Sequence, residues 1–308
     1  MDASGTYLKL HTGASMPVVG LGTWKSAPSE AREAVEYALS KSGYRHIDCA
    51  PIYGNEKEIG EAFGRVFGGG SLRREDVFVT SKLWDTEHAR KDVRAACETT
   101  LHDLQLDYLD LYLVHWGIAE PKGGHTYDAD GHLVVEKVSI RETWEAMEEL
   151  VGAGLVKAIG VANFTAPLLL DLFSYAQVQP AVNQIELHPY LQQTRLVDFC
   201  QRLGMAVTAY SPLARPGYEE MSERLVDEKV IRTIASAHGK TPAQVLLRWG
   251  IQRNTVVIPK STHPKRIQEN ISVFDFELSE SDMREIAGLE RGLRIVDPYQ
   301  WGQVPYFD

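Results

Sequence analysis

No uninterrupted apolar stretch in this sequence approaches the ~20 residues that a bilayer-spanning helix needs, and the opening residues Met1-Asp-Ala-Ser-Gly are polar. Neither a membrane anchor nor a secretion signal is therefore expected, and the chain reads as a soluble, cytoplasmic protein. Cysteine is scarce. Cys49, Cys97 and Cys200 are an odd number without metal-ligand spacing, and two of them fall on the apolar stripes of predicted helices. That excludes a disulfide framework and points to buried thiols in a reducing compartment. Positive charge is not in excess either: a formal net charge of −10 excludes a broad nucleic-acid or anionic-membrane surface, while leaving room for a small basic pocket for a phosphate group. The ten histidines show no His-Glu-x-x-His spacing, so no metal is expected, and His125 and His132 read as solvated loop residues. No Gly-x-Ser-x-Gly elbow is present. Gly20-Leu-Gly22 continues with Thr-Trp-Lys, where a Gly-x-Gly-x-x-Gly dinucleotide turn needs a third glycine, and this weakens a doubly wound sheet.

What the chain has is length, apolar content and a regular alternation. With 308 residues and 44% hydrophobic content it can bury a large core, and no linker divides it, so residues 1–308 read as one domain. Tyr7 to Val18 reads as a hairpin turning at His11-Thr-Gly13-Ala. Eight short apolar strands follow: Val19 to Trp24, Arg45 to Ala50, Val77 to Leu83, Leu109 to Trp116, Ala158 to Phe164, Ala181 to Leu187, Ala206 to Leu213 and Thr255 to Ser261. Between them apolar residues recur at three and four, as in Val93, Cys97, Leu101 and Leu104, which is helical period. Gly43, Gly154 and Gly204 each stand where a left-handed residue would close a helix before the next strand. Continuously apolar strands must be covered on both faces, so the pattern predicts an α/β fold, a (β/α)₈ barrel with an N-terminal hairpin. Three segments break the repeat: Gly117 to Val138 after the fourth strand, Ala214 to Glu223 after the seventh, and a tail, Gly292 to Asp308, rich in aromatics. The first two leave the strand C-termini, where barrels assemble active sites, and the tail's Trp301 faces either the pocket or the outer helices.

Three strand ends carry complementary chemistry. Asp48 and Tyr53, then Lys82, then His115 close three successive apolar runs. An ammonium beside a phenol favours the phenolate and should lower the pKa of Tyr53, and a carboxylate keeps the lysine charged and in place. Tyr53 then becomes a proton donor to a carbonyl oxygen that His115 orients, between walls formed by Trp24, Trp84 and Trp116. The bland alternative is an Asp–Lys ion pair and a core histidine. A third reading makes Lys82 a Schiff-base nucleophile, but that needs a neutral amine, which Asp48 opposes.

At these residues the sequence resembles the aldo-keto reductases, in particular their aldose and aldehyde reductase branch. The resemblance runs through Gly20-Leu-Gly-Thr-Trp24, Asp48 to Glu56, Ser81-Lys-Leu-Trp84, Leu109 to Trp116, Gly160 to Phe164, Asn183 to Pro189, Ala209 to Leu213 and Ile258 to Ser261. It implies a (β/α)₈ barrel that reduces small-molecule carbonyls by hydride transfer from NADPH, with Tyr53 as general acid, Asp48 and Lys82 as its tuning pair, and His115 orienting the substrate. By the same matching Asn163 and Gln184 hold the carboxamide, Tyr210 stacks on the nicotinamide, and Ser211 and Leu213 follow the pyrophosphate. Lys260, Ser261 and Arg266 take the adenosine 2′-phosphate, and Glu269 and Asn270 contact the adenine. Trp24, Trp84, Trp116 and Trp301 line the substrate side. The resemblance also implies a monomer, and it leaves open a nucleotide-binding redox sensor with little turnover. Two departures concern the cofactor: Ala162 stands where the branch commonly has a serine, and His263 where it has a small hydroxyl residue.

Overall fold

The computed structural model describes residues 6–70, 72–215 and 224–308. Two short strands, β1 (Tyr7–Lys9) and β2 (Ser15–Pro17), pair antiparallel. Eight parallel strands follow: β3 (Leu21–Gly22), β4 (His46–Asp48), β5 (Phe78–Leu83), β6 (Leu111–Val114), β7 (Ile159–Ala162), β8 (Val182–Glu186), β9 (Ala206–Tyr210) and β10 (Val256–Val257). They lie in sequence order, and parallel bridges Val19–Val257 and Gly22–Lys260 join the first to the last, so the sheet closes on itself. β5, β6, β7 and β8 are buried at every position, as strands covered on both faces must be. This is the (β/α)₈ architecture that the alternation predicts.

The helices take their limits from local chemistry. The first six are α1 (Pro28–Ser40), α2 (Glu56–Gly68), α3 (Arg90–Leu104), α4 (Ile140–Gly152), α5 (Ala166–Tyr175) and α6 (Thr194–Arg202). Then come α7 (Lys229–His238), α8 (Pro242–Gln252), α9 (Pro264–Ile271), α10 (Glu280–Ala287) and the short α11 (Pro298–Gly302). Proline opens α1, α8, α9 and α11, where its missing N–H has no helical partner to lose. Thr241 and Gln244 form a reciprocal capping box on α8, and Ser139 accepts from the Glu142 amide at the start of α4. Gly43, Gly154 and Gly204 have φ of 79°, 74° and 79°. Left-handed residues thus follow α1, α4 and α6 as the sequence predicts.

The hairpin sits at the end of the barrel away from the strand C-termini: the Pro17 carbonyl lies 3.3 Å from Nδ1 of His46, the first residue of β4. Leu8, Leu10 and Met16 are buried there. His46 points into the barrel and takes the room that Gly20 leaves, since a Cβ on Gly20 would lie 2.6 Å from its ring. The other rim carries the long loop from Gly117 to Val138, which has no helix or strand of its own. Of the predicted loop after the seventh strand, residues 216–223 lie outside the described residues.

Barrel closure makes one glycine indispensable. The Gly22 amide donates to the Pro259 carbonyl at 3.1 Å, and a Cβ on Gly22 would stand 2.8 Å from the Ile258 carbonyl oxygen. Backbone on both sides of the seam cannot step aside as a flexible side chain would. Gly22→Ala is expected to destabilise the protein by about 1–3 kcal/mol in urea unfolding. Gly68→Ala, at a helical position with open space around it, should be neutral or better. Equal stability of the two variants would contradict the closed seam.

Candidate active site

The C-terminal rim surrounds a cavity of about 930 Å³. Asp48 is the last residue of β4, Lys82 lies near the end of β5, and His115 and Asn163 follow β6 and β7 directly. Gln184 belongs to β8, Tyr210 ends β9, and Lys260 and Ser261 follow β10. Every residue that the sequence reading assigns to the site lines this cavity except Lys82. Lys82 is fully buried beneath it.

The floor is a chain of short hydrogen bonds. Lys82 Nζ donates to Asp48 Oδ1 at 2.6 Å, to the Cys49 carbonyl at 2.9 Å and to the Tyr53 hydroxyl at 3.2 Å, which uses all three of its protons. Gln184 Nε2 donates to the other Asp48 oxygen at 2.8 Å. Burial works against the charge on Lys82, but the attraction of Asp48 and Tyr53 outweighs it and raises the pKa above the ordinary lysine value. A neutral amine, and with it the Schiff-base reading, has no support in this geometry.

Tyr53 corrects an expectation. The residue is only half-buried at the cavity floor, yet the protein packed around its hydroxyl makes desolvation the largest effect and raises its pKa; the Lys82 ammonium pulls down, Asp48 pushes up, and the balance lies above the ordinary phenol value. The lysine lowers the cost of the phenolate without overcoming burial, so Tyr53 holds its proton at neutral pH. His115 is also depressed: burial first, then the Lys82 charge and His88, keep its pKa well below the usual imidazole range. Its ring stands edge-on to both Tyr53 and Trp84, at centroid distances of 6.0 and 5.1 Å, and its Nδ1 has no partner among the described residues. A neutral imidazole aimed into a cavity can donate or accept one hydrogen bond there.

Above this floor the cavity has two unlike ends. On one side stand Trp84, Trp116 and Trp301 with Val296, and Trp24, Ile52 and Ile295 also line the cavity. Of the two roles considered for Trp301, it has the one at the pocket: it lines the cavity and packs edge-on against Trp116 at 5.7 Å. On the other side stand Lys260 and Arg266, neither of which has a carboxylate partner among the described residues. Ser261, His263, Glu269 and Asn270 lie with them, and Arg266 belongs to the first turn of α9. Two cations without counter-ions at a cavity end, beside a helix N-terminus, form a site for a multiply charged anion. Between the ends, Asn163 donates to the His115 carbonyl at 2.9 Å and accepts from the Tyr210 hydroxyl at 2.8 Å. The Tyr210 ring is thereby fixed where a flat heterocycle can lie against it. Lys25, Asn163, Ser211 and Arg215 hold positive φ without being glycine, and all four line the cavity. Strained backbone concentrated at one cavity is expected of a binding site. This donor set fits an elongated molecule with an amide-bearing ring at one end and a phosphate at the other.

Some features escape the sequence. Lys25, Arg215 and Gln300 line the cavity without standing out in any pattern. His125 is not merely solvated: it pairs with the buried Glu120 at 2.8 Å and its ring lies 6.1 Å from Trp84. The pairing needs Glu120 brought under the loop by the Asp85 carbonyl, which accepts the Glu120 amide at 2.9 Å. His132 is exposed and pairs with Asp128. Asp128, Asp130 and His132 place their ligand atoms within 4.8 Å of one another, a grouping that the search for ligand spacing did not register. Ala162 is buried in β7, and His263 stands at the N-cap position of α9 without a side-chain capping bond, its amide donating to Ser261 Oγ. The three cysteines are buried and unpaired.

Because the pKa of His115 is depressed, its ring should remain neutral from pH 8 down to pH 5. NMR of ring-labelled histidine should show a resonance that does not move over that range. A midpoint for His115 near 6.5 would contradict the described burial.

The Aldo/keto reductase family pattern matches residues 18–291 of this sequence. Over 295 residues the chain is 49% identical to aldo-keto reductase family 1 member A1 of Rattus norvegicus, covering 94% of this chain and 90% of that protein. The Homo sapiens protein of the same name gives the same identity and coverage. Among solved structures, aldose reductase from Schistosoma japonicum superposes with a TM-score of 0.91 at 43% identity, covering 98% of this chain and 97% of that one. Aldose reductase from Giardia lamblia gives 0.90 at 44% identity, covering 94% and 98%.

Proposed function

Since this chain belongs to the aldo/keto reductase family, we propose that it reduces aldehydes and ketones to alcohols with NADPH, Tyr53 giving the proton. The protein is an aldehyde/aldose reductase-like oxidoreductase acting on small carbonyl compounds, and its family generally uses NAD(P)H. The observation that carries the finer reading is the hydrogen-bonded chain Asp48–Lys82–Tyr53 under a cavity whose far end holds two cations without carboxylate partners.

When bound, the reduced nicotinamide supplies a hydride to the carbonyl carbon. Asn163 and Gln184 would hold its carboxamide, Tyr210 would support the ring, and Ser211 and Leu213 would follow the pyrophosphate. Lys260, Ser261 and Arg266 would take a 2′-phosphate, while Glu269 and Asn270 would meet the adenine. A dianionic phosphate gains from both cations where a ribose hydroxyl does not, which favours NADPH over NADH. The Tyr53 hydroxyl donates to the carbonyl oxygen and gives up its proton as negative charge develops there. Its phenolate is then stabilised by Lys82, whose charge Asp48 secures. That attraction is strongest after the proton has left, so it lowers the barrier rather than merely binding the substrate. His115, neutral, donates a second hydrogen bond to the same oxygen. The four tryptophans with Ile295 and Val296 suit apolar and aryl aldehydes. The resemblance adds a working form as a cytoplasmic monomer.

Tyr53→Phe should leave the dissociation constant for NADPH nearly unchanged, read by fluorescence quenching, and lower kcat for an aryl aldehyde by about 10²-fold or more. Full turnover in that variant would reject Tyr53 as the acid. Replacing Lys260 and Arg266 together by Met should weaken NADPH at least about tenfold more than NADH. Equal weakening of both would remove the phosphate assignment.

A further inference from the structure

Glu186 is the last residue of β8, and its side chain is fully buried on the same rim as the site. No cation of Lys or Arg pairs with it among the described residues. Its partners are the backbone amides of Ile295 and Val296, each donating at 2.9 Å, and Nε2 of His188, 2.8 Å from Oε1. One carboxylate thus grips two successive amides of the C-terminal tail, one per oxygen. Gln193 extends the grip: its Nε2 donates to the Glu186 carbonyl at 2.6 Å, and its Oε1 accepts from Arg294, whose guanidinium lies 3.6 Å over Phe307. Gln193 adopts φ of 43° to do so, left-handed backbone that a residue with a Cβ rarely takes.

The gripped residues are the ones that line the pocket. Ile295 and Val296 face the cavity, and Val296 packs with Trp84 and Trp301 against the small cluster of Trp116, Ile118 and Leu133. The rest of the tail is tied to the long loop at two places. The Leu133 amide donates to the Gly302 carbonyl at 3.0 Å, and the Gly117 amide donates to the Tyr306 hydroxyl at 3.0 Å. Neither tie reaches a barrel strand: one joins the loop to the end of α11 and the other to the segment beyond it. Among the described residues, the Glu186 clamp is the hydrogen-bonded fastening of the tail to a barrel strand, two residues beyond the Leu293 amide, which donates to the Tyr190 carbonyl at 3.0 Å.

We infer that Glu186 is the positioning residue for the substrate wall: by holding the amides of 295 and 296 it sets how large an aldehyde the pocket grips. It touches neither the reacting atoms nor the Asp48–Lys82–Tyr53 chain. Its effect should therefore grow with the reach of the substrate, which a general loss of stability would not produce. The kinetic part rests on the carbonyl-reductase reading; the structural part does not.

In Glu186→Gln one oxygen becomes an NH₂ group that faces an amide donor, so one amide loses its acceptor at almost constant volume. KM for a bulky aryl aldehyde should rise about tenfold, the effect of one such unmet donor, while KM for propanal and the NADPH dissociation constant change less than about twofold. Hydrogen exchange of amides 295 and 296 should quicken in the same variant. Val296→Pro removes one of the two amides from the other side while leaving Glu186 in place, and should give the same size-dependent rise. Equal effects on large and small aldehydes, unaltered exchange at 295 and 296, or a Val296→Pro protein with the parent's KM values would each overturn the clamp. If the parent reduces no aldehyde, the proposed function fails, and the exchange measurement still decides whether Glu186 holds the tail.

Discussion

A single ammonium buried under a mostly hydrocarbon barrel is the constraint to which the rest of this site conforms. An isolated charge at that depth would be strongly destabilising. Lys82 is tolerable because all three of its protons are accepted, by a carboxylate, a carbonyl and a phenol. Each acceptor is in turn fixed by the fold. Asp48 is held at its second oxygen by Gln184 from the opposite side of the barrel, and its own carbonyl takes the Thr23 hydroxyl at 2.8 Å. Tyr53 is placed by a turn of 3₁₀ helix that opens at Pro51 and ends at left-handed Gly54. Residues from β4, β5 and β8 therefore have to arrive in one register, and a closed parallel sheet is what supplies it.

The sequence made most of that register legible. Strand and helix alternate with clear periods, helix ends are marked by Gly43, Gly154 and Gly204, and reactive side chains stand at the ends of apolar runs. Such signals are local, and local signals survive in a one-dimensional reading. What did not survive depends on depth and on distant partners. The direction of the Tyr53 shift is set by how thoroughly the barrel dries the hydroxyl, which spacing does not reveal. His125 looked solvated because Glu120, its buried partner, is drawn beneath the loop by the Asp85 main chain. Glu186 sits in an apolar strand as though it were an ordinary strand-end acid; the two amides it grips belong to residues more than a hundred positions later.

The rim divides its labour between rigid and irregular parts. Proton chemistry is assigned to residues at or just beyond strand ends, where Asp48 and Lys82 are locked by bonds between strands and Tyr53 by its bond to Lys82. The walls facing the substrate come from tryptophans just beyond strand ends and from the tail, and the long loop backs them through Ile118, Leu133 and its tie to Tyr306. Evolving a new substrate range in such an arrangement requires changes only to the irregular parts. Those parts still need one fixed point, or the pocket would have no defined width. The carboxylate at the end of β8 meets that need without a cation, using backbone amides that no side-chain substitution in the tail removes except proline.

The raised pKa of Tyr53 bears on why a phenol and not a stronger acid stands at the floor. An acid that ionised readily at neutral pH would face the substrate as an anion and repel the carbonyl oxygen it must protonate. Burial keeps the hydroxyl neutral until charge appears on that oxygen, and the neighbouring ammonium limits the penalty once the proton has gone. The two effects act at different moments: desolvation governs the resting state, and the lysine governs the state that follows transfer. Because Lys82 stays charged in both, its interaction with Tyr53 strengthens only as the phenolate forms, and the stabilisation is concentrated where the reaction needs it.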